Sequence, residues 1–232
     1  MKGTLYLIPV TLGTEDFLHV IPSGVINIIK EIRYFVVEDL RSARRFLRKI
    51  DNQFPIDDCN FIELNEHSKQ SDIESIISEI SLVKNIGLMS EAGVPCVADP
   101  GSPLIKLAHN KGIKVIPLTG PSSILLALMA SGMNGQNFRF NGYLPIKGQE
   151  RSTAILALEK EAKKGSSQIF IEAPYRNQKL LEEILSICSS ETNLCIAVDI
   201  TAPTEFIRSR KVKEWRNNIP SINKRPAIFI IG

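Results

Sequence analysis

The chain has 232 residues, 44% of them hydrophobic and 23% charged, a globular balance that can fill a sizeable core and excludes a disordered or fibrous chain. Lys and Arg number 28 against 25 Asp and Glu, so the formal net charge of +3 permits a polyanionic partner without requiring one. No apolar run has the ~20 residues of a membrane span or the pattern of a secretory leader, so a cytoplasmic protein with no membrane partner is expected.

Short β-branched runs alternate with helical patterns, the rhythm of parallel α/β units. Strands are predicted over Thr4–Pro9, Tyr34–Val37, Asn60–Leu64, Ile86–Met89 and Lys114–Pro117. Between them the apolar spacing predicts helices over Pro22–Ile32, Ser42–Ile50, Asp72–Val83 and Pro103–Asn110, the last stopped by Gly112. A domain boundary is expected at the turn-rich segment from Leu118 to Ser123, giving domains 1–117 and 118–232. The second half reads as helices Ile124–Ala130, Glu150–Lys163 and Asn177–Cys188 with strands Phe138–Asn141, Gln168–Ile171, Leu194–Val198, Thr204–Arg208 and Ala227–Ile231. Its looser alternation predicts a mixed α+β sheet.

Cys59, Cys96, Cys188 and Cys195 show no C-x-x-C spacing and sit in apolar surroundings, which reads as buried thiols, neither metal ligands nor disulfides. There is no G-x-G-x-x-G after a strand, no P-loop and no metal-ligand spacing, so a Rossmann dehydrogenase, a nucleotide hydrolase and a metalloenzyme are all disfavoured.

The densest run of turn formers is Ser90-Glu91-Ala92-Gly93-Val94-Pro95-Cys96-Val97-Ala98-Asp99-Pro100-Gly101, directly behind the apolar Ile86-Gly87-Leu88. A loop of this kind at a strand's carboxyl end presents bare backbone groups where open α/β folds place ligands. It resembles the Ser-Asp/Glu-Ala-Gly-x-Pro-x-x-x-Asp-Pro-Gly signature of the tetrapyrrole methylase superfamily of S-adenosylmethionine-dependent methyltransferases. The similarity is to the branch, methyltransferase I, that methylates a ribose 2′-hydroxyl of small-subunit ribosomal RNA. Further matches follow in order: Glu38-Asp39-Leu40-Arg41, the histidine-containing Asn65-Glu66-His67-Ser68, Thr119-Gly120-Pro121-Ser122, Phe140-Asn141-Gly142-Tyr143-Leu144-Pro145 and Phe170-Ile171-Glu172-Ala173-Pro174-Tyr175-Arg176. The chain departs from the family pattern at Leu40 for threonine, Tyr175 for histidine, and Ala197-Val198-Asp199 for Ala-Arg-Glu; Ile8–Gly13 lacks the Asn-Leu-x-Asp that usually follows.

The resemblance implies a two-domain α/β fold with S-adenosyl-L-methionine in a cleft between the domains, a ribosomal RNA or small-subunit partner, no metal, and a homodimer. It places the cofactor against Pro9, Leu12, Ala92, Gly93, Val94, Val97, Thr119, Pro121, Ser122, Ala173 and Ala197. Glycine there lets the main chain approach the ligand closely, although glycine and proline also build plain tight turns.

Methyl transfer is an in-line displacement at a carbon activated by positive sulfur, so alignment is the protein's main task. A ribose hydroxyl has a high pKa, and a nearby base would help remove its proton. Glu172, Asp199 and Glu38 are the candidates, with Arg176 as an anion anchor; a structural Glu–Arg pair is the competing reading for each. Arg41, Arg44, Arg45 and Arg48 fall at i, i+3, i+4 and i+7, a basic stripe on one face of the second helix that suits RNA phosphates as well as plain solvation. Lys163-Lys164 and Arg208, Arg210, Lys211 and Lys213 add a looser patch, while His19 and His109 read as ordinary surface positions. Two alternatives stay open: a methyltransferase of a tetrapyrrole or similar macrocycle, which would need a deep apolar cleft, and a non-catalytic cofactor-binding protein associated with RNA.

Overall fold

A computed structural model describes residues 3–65, 67–80 and 85–232. It divides into two compact units, Met1–Ser122 and Ser123–Gly232, the break falling beyond the expected 117/118 boundary.

The first unit is a five-stranded sheet in the order β3-β2-β4-β1-β5, with every neighbouring pair parallel. Its strands are β1 (Thr4–Ile8), β2 (Tyr34–Val37), β3 (Asn60–Glu63), β4 (Asn85–Met89) and β5 (Lys114–Pro117). Helices α1 (Ser23–Glu31), α2 (Leu40–Ile50), α3 (Gln70–Ile80) and α4 (Ser102–Asn110) cover it. Successive β2 residues point to opposite faces, as the strand's period of two requires. Phe35 accordingly joins the α1 and α2 core with Ile29 and Leu47, and Val36 joins the α3 and α4 core with Ile76 and Leu104.

Helix α2 starts two residues before the expected Ser42 because the Asp39 carboxylate accepts the Ser42 N–H at 2.7 Å, capping the first turn. The expected end of the third helix at Val83 lies outside the described residues.

The second unit has α5 (Ser123–Ser131), β6 (Phe138–Tyr143), α6 (Gly148–Ala162), β7 (Ser167–Ile171), α7 (Asn177–Ile187), β8 (Asn193–Val198), β9 (Phe206–Lys211), α8 (Val212–Asn217) and β10 (Ala227–Ile231). Its sheet runs β6-β7-β10-β8-β9; β6 and β7 are parallel and the other pairs antiparallel, so it is mixed. Every β10 residue is buried, and Phe170 stacks on Phe229 at 5.7 Å in a core with Trp215, whose Nε1–H donates to the Leu194 carbonyl.

One expectation needs correction here, and one element was not expected. The strand expected over Thr204–Arg208 is shifted to Phe206–Lys211, because Thr204 and Glu205 are spent on the preceding turn: the Thr204 hydroxyl donates to Asp199 and the Glu205 carboxylate accepts the Thr201 N–H. Helix α8, only 6 residues long, had no periodic signal of its own.

Candidate active site

The carboxyl ends of the parallel strands carry the first set of loops. Asp99 builds the loop after β4: one carboxylate oxygen accepts the Cys96 N–H at 2.6 Å and the other the Gly101 N–H at 2.8 Å. These bonds hold Cys96 and Ala98 in left-handed backbone, with φ of 68° and 62°. Such conformations cost a non-glycine residue ~1 kcal/mol or more and collect at functional loops. Burial, and then the Asp99 charge, push the Cys96 thiol up to about 12, so it is no nucleophile.

This loop meets its neighbours closely. The Val10 N–H donates to the Gly93 carbonyl at 2.9 Å. Gly93 has φ +73°, and a Cβ there would lie 3.0 Å from Leu12 Cδ2 and 3.2 Å from the Pro121 carbonyl oxygen. A Cβ on Gly120 would collide with Pro9 at 2.2 Å. Pro9, Leu12, Gly93 and Pro121 are therefore brought together. Ala92 lines a cavity beside Leu12. Val94 and Ser122 are half-buried, and Val97 and Thr119 are exposed on the same loops.

Glu38 ends β2 next to this loop. Its carboxylate accepts the Glu91 N–H at 3.2 Å. Burial raises its pKa; the Glu91 hydrogen bond works against this, and the charges of Asp99, Glu91 and Asp39 add to the rise. Behind it, the four arginines of α2 are all exposed, but they are not equivalent. Arg44 stacks over Phe61 at 5.3 Å and Arg48 donates to the Asn52 carbonyl, whereas Arg45 turns to the cavity lined by Leu12 and Ala92. His67 is exposed, its N–H turned to the Asn65 side chain, and Glu66 of that motif lies outside the described residues.

The second unit carries its own loop cluster. Glu172, at the end of β7, has a side chain only 1% exposed; it accepts from Arg151 at 3.0 Å, from Arg176 at 2.6 Å and from the Ala173 N–H at 2.8 Å. Burial raises its pKa, but the Arg176 hydrogen bond, the Ala173 N–H and the charges of Arg176 and Arg151 outweigh burial, so the net shift is downward. A sequestered, twice-paired carboxylate is a poor proton acceptor, and Glu172 anchors Arg176.

Asp199 is similarly committed. Its Oδ2 accepts from Arg225 Nε at 2.8 Å and Nη2 at 2.7 Å, and from the Thr204 hydroxyl at 2.8 Å. Asp199 and Thr201 are left-handed, at φ 49° and 71°. The Asn177 amide donates to the Arg225 carbonyl and the Lys224 N–H to the Pro174 carbonyl, tying the segment before β10 to the β7 loop, while the Arg225 side chain reaches the β8 loop at Asp199. Three buried polar atoms here have no hydrogen-bond partner among the described residues: Arg176 Nε, Asn177 Oδ1 and Thr201 Oγ1. Ala197, expected against cofactor, is wholly buried within β8, so any ligand surface belongs to the loop after it.

Arg151 and Arg225 escaped the sequence reading, since each resembles an ordinary surface cation until its distant partner is seen. Among the described residues, no group of His, Cys, Asp and Glu could hold a metal ion, and no helix is long and apolar enough to cross a membrane. All four cysteines are free.

No protein-family model matches the chain. Individual relatives do. The chain is 32% identical to the ribosomal RNA small subunit methyltransferase I of Halalkalibacterium halodurans, over 89% of this chain and 68% of that protein. It is 31% identical to the protein of the same name from Bacillus subtilis, over 93% and 70%, and 30% identical to that of Vibrio cholerae, over 90% and 69%. Among solved structures, the fold matches the uroporphyrin III C-methyl transferase of Thermus thermophilus, also solved with S-adenyl homocysteine. The TM-score is 0.61 at 16% identity, covering 99% of this chain and 97% of that one. The methyltransferase CobJ gives 0.67 at 16% identity, over 99% and 94%.

Proposed function

Because the chain belongs to the ribosomal RNA small subunit methyltransferase I family, we propose that it methylates a ribose 2′-hydroxyl of small-subunit (16S) ribosomal RNA, using S-adenosyl-L-methionine. The observation that carries the reading is the convergence of Leu12, left-handed Gly93 and the Pro121 carbonyl at the end of a parallel sheet, beside a helix with four exposed arginines.

The residues fit the cofactor. A Cβ at Gly93 would occupy the space at Leu12 and Pro121, so the missing side chain leaves a cradle in which backbone groups can face a ligand. Pro9, Leu12, Ala92, Gly93, Val94, Val97, Thr119, Pro121 and Ser122 of the first unit would hold it. When bound, the cofactor supplies a methyl group already activated by a positive sulfur, and the transfer is proposed to run without a metal.

The chain's own part is orientation and proton handling. The arginine face holds RNA phosphates. Arg176, kept in place by Glu172, offers a guanidinium at the β7 loop, and the Asp199–Arg225 pair fixes the β8 loop. Of the three candidate carboxylates, Glu38 is the one with no cation paired to it among the described residues, and its raised pKa suits it to accept the hydroxyl proton as the oxygen attacks. A homodimer and a cytoplasmic location belong to the same reading. Small subunits from a strain lacking this protein, incubated with the protein and labelled cofactor, should gain label in 16S RNA; the absence of any label refutes the reading.

A further inference from the structure

The first unit contains a cavity of ≈ 280 Å³ between the loop after β1, helix α2 and the start of the loop after β4. Its α2 wall is Ser42, Arg45, Phe46 and Lys49, on the i, i+3, i+4, i+7 face, with Ala43 beside them. Its opposite wall includes Leu12 and Ala92. Two cations reach it, in different states. Lys49 is engaged, donating to the Thr14 carbonyl and pairing with Glu15 at 3.2 Å. Arg45 is exposed and makes no hydrogen bond or ion pair among the described residues.

We propose that this cavity is a nucleotide subsite, in which one RNA nucleotide sits beside the cofactor loops with its phosphate on Arg45. The inference rests on the functional reading above and adds where the acceptor nucleotide is held. Size decides first: the volume of ≈ 280 Å³ lies just below the ~300–1,000 Å³ range of ligand pockets, room for a nucleoside but not for a macrocycle. Chemistry agrees. Phe46 and Leu12 offer apolar surface to a base or sugar, the Thr11 and Ser90 hydroxyls offer polar contacts, and a planar guanidinium matches a phosphate's paired oxygens. Position agrees as well. A methyl acceptor has to lie next to the donor, and Leu12 and Ala92 belong both to this cavity and to the loops proposed for the cofactor. Arg41, Arg44 and Arg48 then serve the flanking phosphates outside the cavity.

The test uses the full chain, a fluorescein-labelled single-stranded RNA oligonucleotide, and S-adenosylhomocysteine. Arg45→Gln should weaken RNA binding about tenfold and reduce the slope of log affinity against log salt by roughly one, with Arg45→Lys recovering most of the slope. Thr11→Phe, which fills the cavity without removing a cation, should weaken RNA binding about tenfold with the slope unchanged. Both variants should bind S-adenosylhomocysteine within about twofold of the parent, which also shows that they are folded. RNA binding indifferent to both substitutions overturns the subsite. So does loss of S-adenosylhomocysteine binding in Thr11→Phe with RNA binding intact, which would give the cavity to the cofactor. If adenosine monophosphate binds as tightly as the oligonucleotide, the site takes free nucleotides and the RNA assignment falls. A parent that binds no RNA refutes the functional reading itself, a different result from a parent that binds and variants that match it.

Discussion

Arg225 reaches across 26 residues of sequence to hold Asp199, placing Nε and Nη2 on the same carboxylate oxygen at 2.8 and 2.7 Å. The family pattern has Ala-Arg-Glu at this strand end, where this chain has Ala197-Val198-Asp199. Here the guanidinium beside the shortened acid comes from another segment. Asp199 is thereby an anchor for the 199–205 turn.

Replacing Asp199 by alanine should accordingly act on stability first. It strands Arg225, whose side chain is 33% exposed, and releases the Thr204 hydroxyl. The expected loss is roughly 1–2 kcal/mol after discounting for solvent around the arginine. Urea unfolding of the variant measures it, and an unmoved midpoint would show that the pair is incidental.

A β-carbon at position 93 should be costly for a different reason. Gly93 is left-handed, and valine there must also displace Leu12 or the Pro121 carbonyl. Gly93→Val should lower S-adenosylhomocysteine affinity at least about tenfold by calorimetry, with a stability cost of ~1–2 kcal/mol from the backbone alone. Unchanged affinity removes this loop from the cofactor site.

Glu172 should leave a signature in acid. Its folded pKa lies below the ordinary 4.5, so the stability it contributes is full above that value and is lost as pH falls through the lower folded pKa. The parent should thus lose more stability than Glu172→Gln between neutral pH and pH ~3. Parallel pH profiles for the two proteins would mean that the Arg151 and Arg176 pairs contribute nothing to acid sensitivity.

Glu38 makes the opposite prediction. A carboxyl with a raised pKa stabilises the fold when protonated and loses that contribution as pH rises through the folded pKa, so Glu38→Gln should be at least as stable as the parent near neutral pH. As the proposed base it should cost about a hundredfold in methyl transfer and flatten the acid limb of the rate profile, while S-adenosylhomocysteine affinity stays put. Full activity in Glu38→Gln would leave alignment as the sole source of catalysis.

Much of the architecture was legible in the sequence because inner strands such as β2 and β10 are almost wholly buried, and these two fall on the expected residues, as does the edge strand β5. Legibility failed where a local pattern was overruled by a distant partner. Thr204 and Glu205 look like strand residues but serve the Asp199 and Thr201 turn, and Arg-Ser-Arg-Lys over 208–211 reads as a charge run although it forms edge strand β9. The loops around Gly93 and Pro121 announced themselves by composition. The cavity at Arg45 did not, because helical spacing alone cannot tell an arginine that lines a cavity from Arg44 over Phe61 or Arg48 on the Asn52 carbonyl.

The central claim, methylation of a ribose hydroxyl in 16S RNA, is tested most directly by mass spectrometry of nucleosides. Small subunits prepared from a strain lacking this protein would be treated with it and S-adenosyl-L-methionine, and their RNA digested. The account predicts one new 2′-O-methylated nucleoside, with the added mass on the sugar fragment, and none with the Gly93→Val variant. A methyl group on a base, or RNA left unmodified while a tetrapyrrole is methylated, would contradict it.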